Sequence, residues 1–242
     1  MWCTCPDDRG LYKQVAIHMN PIRRVIHAVL NNLPTDERLL TIPLRPAYRE
    51  WKKRYLTPEI PHFPSRELLW DHLISDHLKP PVVYLEFGVF RGYSIRYFSE
   101  HISDADSVFV GFDTFTGLPE NWGTSPAGDF GVNEVLPQMD DPRVSFQKGL
   151  FQDTLPSFLE TQPIRGSLFI NCDADLYTST LFVLTQLWKH LDGAIVYFDE
   201  FGCLPHEFRA LEDFSRSYRI AYEVLGDVSN MYKPVAIRFH AA

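Results

Sequence analysis

The stretch Ser167–Thr180, SLFINCDADLYTST, passes from the apolar run Leu168-Phe169-Ile170 into two carboxylates, Asp173 and Asp175, and then into Tyr177, Ser179 and Thr180. A short apolar run bounded by polar residues reads as a buried strand. On a strand, side chains two apart share a face, which places Asp173 and Asp175 together. Two like charges that close repel unless a cation or a proton lies between them. Asp175 capping a helix that begins near Tyr177, with Asp173 bonded to loop amides, is the structural alternative. Both readings stand at this point, and the rest of the chain has to separate them.

Working outward, the pattern is regular from Pro80 onward. Apolar strands are predicted at Val82–Leu85, Val108–Phe112, Val144–Phe146, Leu168–Cys172 and Ala194–Phe198, with helices over 93–101, 154–161, 178–191 and 205–218 between or after them. Ile220–Leu225 and Val235–Phe239 close the chain as a hairpin, giving seven strands. Near-continuous apolar strands alternating with helices predict an α/β domain, a mostly parallel sheet with helices on both faces. The first eighty residues differ: Pro21, Pro34, Pro43, Pro46, Pro58, Pro61 and Pro64 interrupt short helical patterns around Val15–Ile17 and Val25–Leu30. A firmer helix is predicted over 65–77, capped by Ser65. Residues 1–79 therefore read as a helical cap over a catalytic domain spanning 80–242.

Composition narrows the function. The chain of 242 residues carries 31 acidic and 23 basic side chains, a formal net charge of -8, and no basic run of five or more, which argues against a nucleic-acid partner. No stretch reaches the roughly 18 apolar residues of a membrane span, and Met1–Gly10 has no signal-peptide core, so a cytoplasmic protein without membrane contact is the expectation. Cys3, Cys5, Cys172 and Cys203 lack metal or redox spacing and read as packing or incidental thiols. A homo-oligomer is compatible with this sequence.

In a parallel α/β sheet, functional groups belong at the carboxyl ends of the strands. Here those ends supply Glu86, Asp113, Asp173, Asp175, Asp199 and Glu200. The first strand runs into EFGVFRGYS, in which Gly88 and Gly92 permit close backbone approach to a ligand and Ser94 opens a helix whose amides receive an anion. Asp113 lies about 20 residues on, where a carboxylate typically accepts from a ribose hydroxyl. An adenosine-containing ligand fits both features.

The succession LEFGVFRGYS, GFDTFTGLPENW, KGLFQDTLP, INCDADLYTST and GAIVYFDEFG resembles the macrocin O-methyltransferase family of class I S-adenosylmethionine-dependent methyltransferases, over about Val82–Phe214. The resemblance implies a Rossmann-like fold and methylation of hydroxyl groups, characteristically on natural-product sugars, with magnesium. It implies that Glu86, Gly88, Gly92 and Ser94 line the methionine end of S-adenosylmethionine, that Asp113 holds its ribose, and that Gly149 and Phe151 border the adenine. It further implies that Asp173, Asp199 and Glu200 hold a divalent cation and that Asp175 is the general base. The expected acceptor is a hydroxylated small molecule, a sugar or vicinal diol.

The chemistry agrees with that allocation. Methyl transfer from a sulfonium is an in-line displacement, so alignment and removal of the acceptor proton are the main requirements. A hard cation lowers the pKa of a bound hydroxyl, and magnesium favours oxygen ligands. One departure stands out: Asp199-Glu200 occupies a place where the family commonly has two aspartates. Beside these, His206 reads as a solvent-facing histidine at a helix start, and Tyr48 and Lys52 have reductase-pair spacing in the wrong part of the chain. Trp122 is either a substrate platform or a loop anchor, and Gly117–Gly131 is long enough to be a lid. Rival readings are a catechol-type phenolic O-methyltransferase, a catalytically silent cofactor-binding protein, and a nicotinamide-dependent oxidoreductase; the third lacks the last glycine of its fingerprint.

Overall fold

Alternation of side chains along the strands sorts the core into two layers, one on each face of a single sheet. In the computed structural model, which describes residue 22, residues 37–230 and residues 232–240, the strands are β1 (His62–Phe63), β2 (Val82–Phe87), β3 (Val108–Asp113), β4 (Val144–Lys148), β5 (Ser167–Cys172), β6 (Ile195–Phe198), β7 (Ala221–Val228) and β8 (Val235–His240). Their order is β1-β7-β8-β6-β5-β2-β3-β4, and β8 alone runs antiparallel to its neighbours. The sheet thus has eight strands where seven are predicted. The addition is β1, two residues that pair with Asp227 and Val228 of β7 and are too short to leave a periodic signal.

Odd and even residues of β2 show the sorting. Val83, Leu85 and Phe87 face a layer formed by α4 (Phe151–Thr161), α5 (Tyr177–Leu187), α6 (Glu207–Tyr218) and α1 (Glu37–Tyr55). Val82 and Tyr84 face α2 (Arg66–His72) and α3 (Tyr93–His101). Burial on both sides explains why the strands read as continuous apolar runs.

The N-terminal prolines break less than expected. α1 runs for 19 residues with Pro43 and Pro46 inside it. Leu44, Tyr48, Trp51 and Tyr55 recur at helical spacing along one side and pack on the core, so tertiary burial holds a helix that local propensity disfavours. Trp51 is buried, stacks on Tyr48 at 5.9 Å and donates to the Tyr222 hydroxyl at 2.9 Å. Tyr48 and Lys52 are accounted for by this stripe, with the ammonium 5.0 Å over the tyrosine ring. α2 follows the prediction, with Ser65 accepting from Leu68 N–H at 3.4 Å, and continues as one π turn over Leu73–His77. Two compact units are delimited, Met1–Leu39 and Leu40–Ala242. The helical patterns at Val15–Ile17 and Val25–Leu30, with Cys3 and Cys5, lie outside the described residues. Among the described residues no helix is long and apolar enough to cross a membrane.

The site follows from the strand order. The chain moves outward from β2 through β3 to β4, then returns to place β5 on the other side of β2. That reversal opens a crevice at the carboxyl ends of β2 and β5, the place where open α/β sheets bind ligands.

Candidate active site

A cleft of about 610 Å³ occupies this crevice, lined by Gly88 after β2, Asp113 after β3, Phe151 after β4, Asp173 and Asp175 after β5, and Asp199 and Glu200 after β6. Glu86, Gly92, Ser94 and Gly149 do not line it. Glu86 is fully buried beneath the β2 turn, where its carboxylate accepts from the Tyr84 hydroxyl and, at 2.8 Å, from Ser94. Gly92 takes φ +73 at the start of α3, packed against Met139 and Pro137. Gly149 donates its N–H to the Asp113 carbonyl at 3.0 Å. These four shape the loops whose neighbours face the ligand.

Burial pushes the Glu86 carboxyl up from 4.5 to about 7, against the bonds from Tyr84, Ser94 and Asn171 that favour its charge. Between those two values the folded protein keeps a proton that the unfolded chain has released. Stability therefore falls as pH rises through that window. At about 1.4 kcal/mol per pH unit, Glu86→Gln is expected to gain on wild type by up to about 3 kcal/mol between pH 5 and pH 8. Urea unfolding at the two pH values measures the gain, and a difference that does not change with pH would contradict it.

Gly88 has φ +93, and a Cβ there would lie 1.8 Å from the Asp173 carbonyl oxygen. The close approach that demands glycine is thus made by the β5 backbone, an intramolecular neighbour. Asp113 stands opposite, its Oδ2 accepting from Val89 and Phe90 N–H at 2.8 and 2.9 Å and its Oδ1 from Phe115 N–H at 2.6 Å. A carboxylate offers about four lone pairs, so one remains on Oδ1 for a ligand hydroxyl.

The acidic turn differs from the strand picture. β5 ends at Cys172, and Asp175 adopts φ +58, so the two carboxylates enter the cleft from a turn and not from one strand face. Asp175 does not cap α5 either: the N-cap is Leu176, with no side-chain cap bond. One carboxylate oxygen from each of Asp173, Asp199 and Glu200 falls within 4.8 Å of the others. Burial and the charges of Asp199, Asp175 and Glu86 hold the Asp173 carboxyl far above its usual range. Glu200 is raised as well, by burial and then by Asp173 and Glu207. Asp175 is pushed up to about 6, by burial and by Asp199 and Asp113.

This donor set fits a hard divalent cation. It is all oxygen, it is crowded with like charge, and the buried Glu200 Oε2 has no hydrogen-bond partner among the described residues. Tyr197 donates to Asp199 Oδ1 at 2.7 Å and fixes that carboxylate. Arg66, from α2, sits 3.5 Å from Asp199 Oδ2 and lies over the Trp70 and Tyr93 rings.

Three neighbours are not evident from the sequence alone. Arg66 carried a faint signal, since a cation in the first turn opposes the helix dipole. Glu207 looks like an ordinary acidic helix start but is fully buried. His206, expected in solvent, is 6 % exposed, its ring 6.3 Å from that of Trp122. Trp122 itself lines the cleft and also anchors its loop, exchanging backbone bonds with Ser125 at 2.8 Å. Gly117–Gly131 folds on itself through Leu118, Gly128 and Asp129 and covers one side of the cleft. Cys172 is buried packing, as its strand position predicts.

Comparison with known proteins bears on this geometry. The macrocin O-methyltransferase family model matches residues 132–231, a span holding Asp173, Asp175, Asp199 and Glu200. Demethyldecarbamoylnovobiocin O-methyltransferase of Streptomyces niveus is 30% identical over 157 residues, covering 57% of this chain and 55% of that protein. The chain thus spans about half the length of the curated relative it matches. A calicheamicin methyltransferase, CalS11, superposes with a TM-score of 0.55 at 22% identity, over 92% of this chain and 94% of its own. An apo structure of CalS11, described as a TDP-rhamnose 3'-O-methyltransferase, gives 0.52 at 22% identity, over 92% and 96%. The described residues are thus built on the Rossmann-like class I methyltransferase fold, and residues 132–231, with the acidic turn, are similar to the macrocin O-methyltransferases.

Proposed function

We propose that this protein is an S-adenosylmethionine-dependent, divalent-metal-dependent O-methyltransferase acting on a small hydroxylated molecule, with a sugar or other vicinal diol as the preferred acceptor. The observation that carries the reading is the convergence of Asp173, Asp199 and Glu200 within 4.8 Å, beside Asp175, in the cleft between β2 and β5. A hydroxylated acceptor is supported by the names of the curated relative, demethyldecarbamoylnovobiocin O-methyltransferase, and of CalS11, TDP-rhamnose 3'-O-methyltransferase.

In this reading the Gly88 turn receives the methionine end of the cofactor, with Glu86, Gly92 and Ser94 fixing its shape from beneath. Asp113 Oδ1 takes one ribose hydroxyl, and Phe151 together with the turn at Gly149 borders the adenine. Asp173, Asp199 and Glu200 would hold the cation, which when bound lowers the pKa of an acceptor hydroxyl and orients a diol. S-adenosylmethionine would supply the methyl group, and Asp175 would accept the proton of the acceptor hydroxyl. The segment before β2, which contributes Ser65, Arg66 and Glu67 to the cleft, acts as the cap on the acceptor side.

A second acceptor class has its own support. Phe90, Trp122, Phe130 and Tyr232 line the cleft, and Phe90, Phe130 and Tyr232 are more than a third exposed, a surface suited to a flat catechol. Assays of sugar diols against catechols, with and without chelator and read by mass of the methylated product, separate the two. Turnover undiminished by chelator would remove the metal from the reading. Asp175→Asn tests the base cleanly, because asparagine tolerates the left-handed backbone that Asp175 occupies. Its kcat is expected to fall about 10²–10⁴-fold with cofactor affinity retained; an unchanged rate at saturating metal would move the role elsewhere.

A further inference from the structure

Glu207 opens α6 with a fully buried side chain. A carboxylate that water cannot reach requires partners for its oxygens. Its Oε2 accepts the backbone N–H of Glu200 at 2.9 Å, while its Oε1 has no hydrogen-bond partner among the described residues. Glu200 is gripped from the other side too, its carbonyl accepting from Cys203 N–H at 2.8 Å. Glutamate at position 200 is one methylene longer than an aspartate and has one more torsion to immobilise before its oxygen can meet those of Asp173 and Asp199. Glu207 removes backbone freedom at the base of that longer side chain.

We infer that Glu207 is a positioning residue for the cation site: it clamps the Glu200 amide and so sets the Glu200 carboxylate beside Asp173 and Asp199. The inference rests on the metal reading of the cleft. An outer residue that orients a ligand in this way typically governs 10–100-fold in metal affinity. A purely structural role predicts otherwise: losing the acceptor of the Glu200 N–H would lower stability and leave metal affinity unchanged.

Manganese binding to the purified full chain, without acceptor and followed by the electron paramagnetic resonance of the free ion, separates these roles. Glu207→Met is expected to remain folded, checked by a thermal scan, yet to bind Mn²⁺ about 10–100-fold more weakly. Glu207→Gln keeps an acceptor for the Glu200 N–H and is expected to stay within about threefold of wild type. Affinity for S-adenosylhomocysteine serves as the control and is unchanged in both. Wild-type Mn²⁺ affinity in Glu207→Met overturns the inference, as does a loss in Glu207→Gln equal to that in Glu207→Met. Wild-type protein that binds no Mn²⁺ at all overturns the metal reading itself, a result distinct from either.

Discussion

Asp173→Ala is expected to lose metal-stimulated methyl transfer by roughly a thousandfold or more while binding S-adenosylhomocysteine about as well as wild type. A cation at a reacting oxygen supplies several kcal/mol of charge stabilisation, and each 1.4 kcal/mol is a factor of ten. Among the described residues Asp173 is one of three carboxylates in the converging set, so its removal leaves a pair. Cofactor affinity is expected to be spared because the cofactor side proposed for the cleft, at Gly88, Asp113 and Phe151, does not include Asp173.

The same substitution should not destabilise the metal-free protein. With its carboxyl raised by burial and by Asp199, Asp175 and Glu86, Asp173 is a group the fold tolerates at a cost near neutral pH. Native protein holds that proton above the pH at which the unfolded chain releases it, so the penalty grows as pH rises, and alanine abolishes it. Activity falling while the melting temperature holds or rises is the signature of a functional carboxylate. A parallel collapse of both would show that Asp173 serves the fold. Calorimetry with S-adenosylhomocysteine, a magnesium titration of turnover and a thermal scan together read the outcome.

Gly88→Ala is the second large effect, and it acts through geometry. A methyl group at this position meets the Asp173 carbonyl oxygen at 1.8 Å and its carbon at 2.8 Å, and the backbone already sits at φ +93. Neither the β2 turn nor the β5 end yields easily, because Gly88 N–H bonds to Phe112 and Asp173 N–H bonds to Phe87, each at 3.0 Å. A loss of about 4 kcal/mol or more is expected, the combined size of left-handed strain and a backbone clash. For a domain of this size that lowers the melting temperature by about 10 °C or more. Gly193→Ala is the matched control: φ there is +75, but a Cβ meets nothing within 4 Å, so only the backbone strain of about 1–2 kcal/mol applies. Equal losses in the two variants would show that strain alone, and not the Gly88–Asp173 approach, accounts for the glycine.

What was legible in the sequence is what local periodicity encodes. Val82–Leu85, Leu168–Cys172 and Ala194–Phe198 are near-continuous apolar runs, and their alternation with helices indicates a parallel sheet covered on both sides. The strand ends then placed six carboxylates at one edge, and Asp113, Asp173, Asp175, Asp199 and Glu200 do line one cleft. Other features lay beyond local pattern. Pro43 and Pro46 sit inside a helix because Tyr48, Trp51 and Tyr55 are buried against residues more than a hundred positions away. His62 and Phe63 form a strand only because β7 offers an edge.

By itself, then, the sequence determined the αβ alternation, the edge on which the acidic residues collect, and the family likeness carried by FDTFTGLPE and DADLYTST. The tertiary structure alone decided which of those residues face the ligand. It buried Glu86 and Ser94 behind the turn, swung Asp175 out of the strand by a left-handed φ, brought Arg66 to Asp199 and hid Glu207 under Glu200. The reason is range. Strand and helix patterns arise from side chains a few residues apart, whereas a cleft forms where β2, β3, β5 and β6 end together, through contacts between residues that chain spacing does not relate.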